Sequence, residues 1–404
     1  MKSDVVILFT SRGARLFAYG FLSVILALYL DSIGLSKRAI GLVLTFALIG
    51  DALVSLWITT TADRLGRRRM LIAGALLMAA GGAAFASTTN PALLMVIAAV
   101  GVFSPSGHEV GPFLSIEQAS LSQLVAADRR THVFARYVLT GSFATAAGAL
   151  AGGAAAGALQ RAGMDEAAAY RVLLWAYAGF GLVLTALFLR LSRSIEAPPA
   201  RAVSQGMKTR FGLHRSRGAV VHLSALFALD SFAGGFIIQS LLALWFHLRF
   251  GFDIASLGAL FFAANVIAGV SALFAARIAA RIGLVNTMVV THLPSNVLLC
   301  VVPLMPTATA AVVVLLSRYT ISQMDVPTRQ SYTMAIVDPD ERSAAAGITG
   351  IARSVGASVS PALSGMLMAS TSLLGAPFFL AGGLKIVYDL LVYRGFKAHK
   401  PRAE

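Results

Sequence analysis

Apolar residues occur in long stretches along the chain, and polar residues are concentrated in the segments between them. At about 1.5 Å per residue, a helix needs about 20 mostly apolar residues to cross the hydrocarbon core of a bilayer. Twelve stretches approach or exceed this length: 5–31, 39–61, 70–87, 92–124, 133–157, 171–190, 219–247, 254–276, 285–305, 308–337, 343–369 and 374–393. The pattern predicts an all-α membrane protein with 12 transmembrane helices.

The composition supports this prediction. Hydrophobic residues make up 57% of the 404 residues and charged residues only 13%, and the mean hydropathy is +0.77. Such values are typical of polytopic membrane proteins and argue against a soluble globular protein. The chain also carries a formal net charge of +15, which raises the question of a nucleic-acid partner.

The distribution of the basic residues answers that question. Of the 33 Lys and Arg residues, 22 fall on one predicted side of the membrane, five on the other and six within predicted spans. Basic residues flanking transmembrane helices stay on the cytoplasmic side, so both termini are predicted to be cytoplasmic. No basic run is interleaved with aromatic residues, as a nucleic-acid surface would be. The charge indicates topology in a lipid bilayer, and no nucleic-acid partner is expected.

One longer polar segment divides the chain. Residues 191–218 include Pro198 and Pro199 and are rich in Lys and Arg, which is typical of a flexible cytoplasmic linker. The segment separates an N-terminal bundle of six predicted helices, 1–190, from a C-terminal bundle of six, 219–404.

The two halves are internal repeats. Residues 16–21 recur in similar form 215 positions later, as 231–236. At an offset of 212, identical residues coincide in pairs: Gln118 with Gln330, Asp128 with Asp340, Arg130 with Arg342, and Gly153 with Gly365. The repeat predicts two pseudo-symmetric six-helix bundles.

A short basic turn, Asp63-Arg64-Leu65-Gly66-Arg67-Arg68-Arg69, joins the second and third stretches. Its length makes the flanking helices antiparallel neighbours, and its arginines place it in the cytoplasm. The spacing of Asp, Arg, Gly and paired Arg resembles the loop between helices 2 and 3 of the major facilitator superfamily of secondary transporters, with Thr59 where that family usually has Gly. The arrangement of two parallel six-helix repeats is also that of the superfamily. This resemblance covers the whole chain and implies solute transport by alternating access.

The resemblance also implies a cytoplasmic gate. In the family, charged residues near the cytoplasmic ends of the helices engage the basic turn and hold the two halves together on that side. By this resemblance, the gate is expected to comprise Asp63, Arg64, Gly66, Arg67, Glu117, Asp128, Arg329 and Glu341.

Span 5 carries a glycine-rich stretch that resembles the helix-5 motif of antiporters in the family. Ala149 stands in the place of that motif's proline, whereas the repeat partner in span 11 keeps a proline. Small residues let helices pack closely in lipid, so helix packing and antiport are both open interpretations. The residues concerned are Gly148, Gly152, Gly153, Pro361 and Gly365.

Arg15 and Asp230 occupy equivalent positions in spans 1 and 7, each about ten to twelve residues into its helix and so near mid-membrane. Ionisable groups at this depth are costly and are functional candidates by default. Repeat symmetry places such positions opposite each other across the central cavity. Asp230 is therefore expected either to exchange protons or to form a structural ion pair with Arg15.

Two spans are interrupted. Residues 104–112 in span 4 contain two prolines and two glycines around His108 and Glu109. Discontinuous helices in transporters line the cavity, so these two residues are candidates for contact with substrate or proton; the alternative is a kink that only redirects the helix. Span 10 mirrors the interruption and adds Arg318 and Asp325 as candidates for the cavity.

Lys385 and Asp389 in span 12 are four residues apart and can pair along one helix face. The corresponding helix is peripheral in the family, which favours a structural pair. His292, Asn296 and Asn265 are weaker candidates of the same kind.

The leading hypothesis is a secondary active transporter of a small solute, with proton-coupled efflux of a drug or metabolite first and proton-coupled or exchange uptake of an organic anion as the alternative. Arg15 and Arg318 favour an anionic solute, whereas the glycines of span 5 favour export. No phosphate-cradling nucleotide loop is present. A membrane-embedded enzyme lacks the paired carboxylates or histidines that it needs, so no catalytic residue, metal or cofactor is expected. The abundance of Arg and Ala suggests a bacterial inner membrane protein, expected to be a monomer.

Overall fold

The computed structural model describes residues 2–108, 113–126, 129–196, 216–338 and 341–396, with the side chains of Lys2, Thr59, Asp63, Thr131 and Ser343 excepted. Glu109 and Asp128, two of the predicted site residues, lie outside the described residues. So does the greater part of the predicted linker, 197–215.

The described residues form α-helices and short 3₁₀ turns, and no strand occurs among them. The helices are α1 (Lys2–Ser32), α2 (Lys37–Leu65), α3 (Arg67–Ala86), α4 (Pro91–Val100), α5 (Phe113–Leu124), α6 (Arg130–Arg161), α7 (Glu166–Leu189), α8 (Arg217–Gly235), α9 (Gln239–Phe250), α10 (Ile254–Ile282), α11 (Leu284–Val301), α12 (Ala308–Ser322), α13 (Asp325–Ile336), α14 (Arg342–Met368) and α15 (Ala376–Phe396). The all-α class is confirmed.

Each predicted span corresponds to one helix or to two consecutive helices. Within the described ranges, nine helical segments are long and apolar enough to cross a membrane. Predicted spans 4 and 10 are absent from the nine because each consists of two short helices, α4 with α5 and α12 with α13. Span 11 is continuous as α14, but it is rich in Ser, Gly and Ala. The count of 12 crossings and the cytoplasmic position of the termini stay predictions.

The breaks leave backbone groups that neighbouring segments satisfy. After α4 ends, the Pro105 carbonyl accepts hydrogen bonds from the Ser240 backbone N–H at 3.0 Å and from the Ser240 hydroxyl at 2.8 Å. Ser240 belongs to the first turn of α9, which comes after a second break, at the end of α8. An unsatisfied carbonyl in lipid costs several kcal/mol, so these contacts permit a discontinuous helix at that depth.

Two tight turns depend on a single glycine. Gly66 alone joins α2 to α3 with φ of 103°, and Gly283 joins α10 to α11 with φ of 86°. Residues with a side chain rarely adopt such angles. The second turn is the repeat counterpart of the basic turn, so the repeat seen in the sequence is also present in the backbone.

The chain folds into two compact units. Unit 1 comprises residues 1–201 and 238–265, and unit 2 comprises 202–237 and 266–404. The predicted division into bundles 1–190 and 219–404 stays a prediction, since 197–215 are not described.

In unit 1, α1 packs on α6 with the helix backbones in contact. A Cβ atom on Gly148 would lie 2.0 Å from the Phe17 carbonyl oxygen, and one on Gly152 would lie 2.2 Å from the Cβ of Phe21. Gly153 faces Gly258 of α10 in the same way, at 2.7 Å from its Cα. The glycines of span 5 therefore have a packing role.

Unit 2 is built around α8, with α14 and α15 against it and α11 against α15. A Cβ atom on Gly356 would lie 2.3 Å from the Ala228 carbonyl oxygen, which shows how closely α14 approaches α8. Pro361 lies buried within α14, as does Gly365 one turn later. An apolar cluster that includes Leu223, Phe227 and Tyr388 surrounds the buried polar groups of this unit.

Candidate functional site

Unit 1 contains a buried ion pair between α1 and α5. The guanidinium of Arg15 donates two hydrogen bonds to Glu117, from Nη1 to Oε1 at 2.9 Å and from Nη2 to Oε2 at 2.7 Å. Both side chains are 0% exposed. The Ser11 hydroxyl donates to Oε1 at 3.0 Å, and the Tyr137 hydroxyl donates to Oε2. Four donors saturate this carboxylate.

Unit 2 contains the repeat counterpart of this pair with the charges exchanged. Arg329 of α13 donates from Nη1 to Asp230 Oδ2 of α8 at 2.7 Å. Asp230 lies 215 residues after Arg15, and Arg329 lies 212 residues after Glu117. The base of one repeat thus stands where the other has an acid, and pairing is preserved.

The second oxygen of Asp230 has a different partner. The Lys385 ammonium of α15 donates to Asp230 Oδ1 at 2.5 Å. The His292 Nε2 atom of α11 lies 3.9 Å from the same oxygen. Asp230 therefore contacts one cation at each oxygen, with an imidazole adjacent.

The other ring nitrogen of His292 contacts a further carboxylate, that of Asp389. His292 Nδ1 lies 2.8 Å from Asp389 Oδ1, and Asn296 Nδ2 donates to Asp389 Oδ2 at 2.9 Å. Asp389 is 1% exposed. The resulting order, Asp389–His292–Asp230, runs across three helices.

Three more charged residues lie near Asp230 and Arg329. Asp325 Oδ2 lies 3.6 Å from Arg329 Nη1, one helical turn away on α13. Arg318 of α12 is 7% exposed, and Arg353 of α14 lies within electrostatic range of Arg329 and Asp230. The Nε atoms of both arginines have no hydrogen-bond partner among the described residues.

The charge of the cluster is not balanced. Four cations face three carboxylates, which leaves an excess of one positive charge while His292 is neutral. The members, named together from here on as the unit 2 cluster, are Asp230, His292, Arg318, Asp325, Arg329, Arg353, Lys385 and Asp389. An uncompensated buried charge is expensive.

Two expected pairings are replaced by others. Arg15 and Asp230, for which a pair with each other was one of two alternatives, each find an ion-pair partner within their own unit. Lys385 and Asp389, expected to pair along α15, are instead paired with α8 and α11. A buried carboxylate gains more from donors on several helices than from one flexible neighbour on its own helix.

The predicted gate residues fall into separate groups. Glu117 and Arg329 belong to the two buried pairs. Glu341, 0% exposed, accepts the backbone N–H of Ser216 at 2.9 Å, and Arg64 is exposed. Asp63 has its backbone in α2 but its side chain is not described. The gate as a unit stays a prediction.

The basic turn has a partner that the sequence did not reveal. Glu196 accepts the backbone N–H of Arg67 at 2.6 Å and that of Arg68 at 3.3 Å, which places its carboxylate at the N-terminus of α3. The Arg67 guanidinium donates to Gln123 Oε1 at 3.1 Å. The signal was present, because Glu196 is the only acid in a strongly basic segment and helix N-termini attract anions.

The break in span 4 is confirmed, and it leaves His108 in an exposed turn. The His108 carbonyl accepts the Ser104 hydroxyl at 2.8 Å, and Gly107 adopts a φ of 72°. Among the described residues, no group of three or more His, Cys, Asp and Glu could hold a metal ion.

Comparison with known proteins adds the family to this geometry. The sequence profile of the Major Facilitator Superfamily matches residues 8–324, well over half of the chain. The chain belongs to the major facilitator superfamily. The predicted resemblance is confirmed, and with it a transporter fold in a membrane protein.

Relatives of known sequence or structure agree with this assignment. An uncharacterized membrane protein of Saccharomyces cerevisiae, YJR124C, is 28% identical over 96% of this chain and 93% of its own length. A mutant form of the nucleoside transporter NupG superposes with a TM-score of 0.76 at 14% identity, covering 97% of this chain and 99% of that one. The human organic anion transporter MFSD10 (TETRAN) gives 0.66 at 17% identity, over 97% and 99%. At these identities the solved structures establish the fold alone.

Proposed function

We propose that this superfamily member is a proton-coupled secondary transporter of a small organic anion, working by alternating access. The observation that carries the proposal is the excess positive charge of the unit 2 cluster, buried among apolar residues. Two of its arginines present Nε–H groups that no described residue accepts. A carboxylate of the solute would satisfy these donors and neutralise the excess.

The contrast between the repeats supports our assignment of the binding chemistry to unit 2. In unit 1, four donors saturate Glu117, so the pair with Arg15 is closed. In unit 2, the buried carboxylate of Asp230 is shared between Arg329 and Lys385, and further cations lie nearby. We therefore assign a structural role to Arg15 and Glu117, and the solute and proton chemistry to the unit 2 cluster.

Efflux of a drug or metabolite, the first hypothesis from the sequence, has less support. It depended on the glycines of span 5, and the contacts of Gly148, Gly152 and Gly153 account for these residues by packing. MFSD10, which shares the fold, is described as an organic anion transporter, which supports the anionic class without establishing it here.

The remaining features of the proposal come from the sequence. We propose 12 membrane crossings with both termini in the cytoplasm, a bacterial inner membrane location, and a transport function without enzymatic activity. His108 and Glu109, at the break in span 4, are proposed as further solute contacts.

Transport by the purified full chain in proteoliposomes tests the proposal. Vesicles with an imposed pH gradient are supplied with labelled benzoate, succinate, citrate and glutamate, and in parallel with the lipophilic cation tetraphenylphosphonium. We expect accumulation of at least one of the four anions, abolished by collapsing the gradient with a protonophore. Accumulation or expulsion of the cation alone would contradict the proposal.

The variant Arg318→Gln removes the surplus charge with a modest change in side-chain volume. We expect anion transport to fall at least tenfold with little loss of thermal stability, because Arg318 makes no ion pair with a carboxylate among the described residues. Arg277→Gln, at an exposed position of α10, is the matched control and should transport normally. Equal transport by the two variants would place the anion elsewhere.

A further inference from the structure

We propose that His292 and Lys385 are alternative partners of one oxygen atom, Asp230 Oδ1, and that a proton bound by His292 releases the Lys385 ammonium to hold the solute. This inference deepens the proposed function, on which it rests for the anionic nature of the solute. It assigns the proton of the transport cycle to Nε2 of His292, and the effect of that proton is to release Lys385 from Asp230.

The two donors approach the same acceptor. Lys385 Nζ lies 2.5 Å from Asp230 Oδ1, and His292 Nε2 lies 3.9 Å from that atom. Oδ2 is held by Arg329 at 2.7 Å, so Lys385 and His292 are both directed at Oδ1, where two positively charged donors would repel each other. A shift of about 1 Å brings His292 into hydrogen-bond distance.

The far side of His292 fixes which nitrogen can take up a proton. An ionised Asp389 only accepts hydrogen bonds, and its 2.8 Å contact with His292 Nδ1 is shorter than the 3.2 Å contact between Asn296 Nδ2 and the same nitrogen, so we assign the proton of the neutral imidazole to Nδ1. Nε2 is then a bare nitrogen directed toward Asp230. A proton from water that binds there creates a second donor, Nε2–H, and an imidazolium whose charge Asp389 compensates.

Histidine is the side chain that changes charge near neutral pH, and the groups around His292 determine the effect of that change. Asp230 of α8 and Tyr388 and Asp389 of α15 lie next to its ring. Arg318 of α12, Asp325 and Arg329 of α13, Arg353 of α14 and Lys385 of α15 lie within electrostatic range of Asp230 or Tyr388. Protonation of His292 raises the excess of the cluster from one positive charge to two.

Like charges on Lys385 and His292 then compete for one oxygen. The imidazolium is anchored by Asp389, whereas Lys385 has a flexible four-carbon stem and three rotatable donors. A Cβ atom on Gly234 would lie 3.7 Å from Lys385 Nζ, so the missing side chain leaves space beside the ammonium. Lys385 is the group that moves, and it becomes available to the carboxylate of an anion.

The charges then balance in the manner of a symporter. The proton adds one positive charge, and a bound monocarboxylate removes one, so the loaded cluster has the same net charge as the empty one. The bound proton and the bound anion attract each other, so each of them raises the affinity of the cluster for the other. The sign predicts anion–proton symport rather than exchange of the anion against a proton.

Solid-state NMR on the full chain in lipid bilayers tests the exchange without a solute. Side-chain ¹⁵N-lysine and carboxyl-¹³C-aspartate labelling reports each Lys–Asp contact through dipolar dephasing. The chain has a second such contact among the described residues, Lys37 with Asp31 at the end of α1, and a Lys37→Gln background removes its signal. In that background we expect dephasing from Asp230 and Lys385 in alkaline buffer and its loss in acidic buffer.

Variants of His292 separate proton uptake from a general effect of acid. In His292→Gln the dephasing should persist at both pH values, and in His222→Gln, whose histidine lies on α8 against the Phe396 ring, it should respond as in the parent. Asp389→Asn provides a second way to remove the response, should His292→Gln fail to fold. Dephasing that is unaffected by pH in the parent, or lost on acidification in His292→Gln, overturns the inference.

Transport distinguishes this inference from the proposed function. One outcome is that acidification releases Lys385 in a protein that accumulates none of the four test anions. That result overturns the proposed function but supports the replacement of Lys385 by His292 at Asp230. Accumulation of a test anion by the His292→Gln variant under a pH gradient overturns the proposed role of His292 and leaves proton-coupled anion transport supported.

Discussion

Single buried charges in this protein differ in how completely they are satisfied. Glu117 accepts from Arg15, Ser11 and Tyr137, whereas Asp230 divides its oxygens between two cations on different helices. Removal of one member of a buried pair costs about 3–5 kcal/mol, because the other charge is left without a partner. The two repeats should therefore respond differently to the same substitution.

The Arg15–Glu117 pair of unit 1 is the simpler one to test. Glu117→Gln leaves the Arg15 guanidinium buried without its carboxylate, and we expect it to lower the free energy of unfolding by about 3 kcal/mol. Arg15→Gln together with Glu117→Gln removes both charges and should recover most of that loss. Thermal unfolding in detergent, analysed as a double-mutant cycle, measures the coupling. Additive losses would mean that the pair does not stabilise the fold.

The sequence contained half of this information. It established that Arg15 is equivalent to Asp230 and that Glu117 is equivalent to Arg329, but it did not connect the two equivalences. Taken together, two exchanged acid–base positions predict one pair within each repeat. The roles of Lys385 and His292 were not accessible in this way, since their contacts depend on how α11 and α15 pack against α8.

At the scale of helices, the positions of the breaks were predictable and the groups that support them were not. Proline and glycine marked the interruptions in spans 4 and 10, and both are present. The hydrogen bonds from Ser240 to the Pro105 carbonyl depend on a third break, between α8 and α9, where the sequence has no proline. The apolar pattern of residues 219–247 is continuous there and hides the interruption.

The contribution of a capping carboxylate at the start of a helix, outside the predicted span, can be tested by measuring stability as a function of pH. The carboxylate of Asp253 accepts the backbone N–H of Ser256 at 2.7 Å, and this hydrogen bond lowers the pKa of Asp253 below its ordinary value. A carboxyl whose pKa is lower in the folded state stabilises the fold above the pKa of the unfolded chain. That stability is lost as the pH falls through the folded pKa.

We therefore expect Asp253→Ala to destabilise the protein by about 1 kcal/mol near neutral pH and to match the parent in strong acid. Melting temperatures of parent and variant across an acid titration measure the difference. Ser36→Ala is the control, because the Ser36 hydroxyl caps α2 without a charge and its effect should not depend on pH. A constant difference for Asp253→Ala would contradict the assignment.

For the whole molecule, hydropathy and repeat symmetry predicted the helical class and the element positions, and the resemblance of the basic turn to the family's loop predicted the family. They could not predict membership in the two compact units. Residues 238–265 belong to the unit of the first repeat, although their sequence belongs to the second. Packing of a helix against a distant part of the chain leaves no periodic signal in its own residues.

The orientation in the membrane is a property of the whole chain and has a direct test. A cysteine-labelling or epitope tag at Met164, between α6 and α7, should be accessible from outside the cell. A tag at Arg201, outside the described residues, should be accessible only from the cytoplasm, because that segment has the largest excess of Lys and Arg. Impermeant reagents on intact cells and on inverted vesicles give the two readouts. Labelling of both tags from one side would overturn the count of 12 crossings.

The exchanged ion pairs also have a consequence for the ancestry of the chain. If the two repeats arose by duplication of a six-helix precursor, position 15 began with the same residue as 230, and position 117 with the same residue as 329. Conversion of one polarity into the other by single substitutions passes through two like charges or one isolated charge, each strongly destabilising in a buried site. A route through uncharged, hydrogen-bonding side chains avoids both states. Ancestral reconstruction is accordingly expected to recover neutral residues at these four positions, and an Arg15→Gln, Glu117→Gln protein that proves stable would be a present-day example of that intermediate.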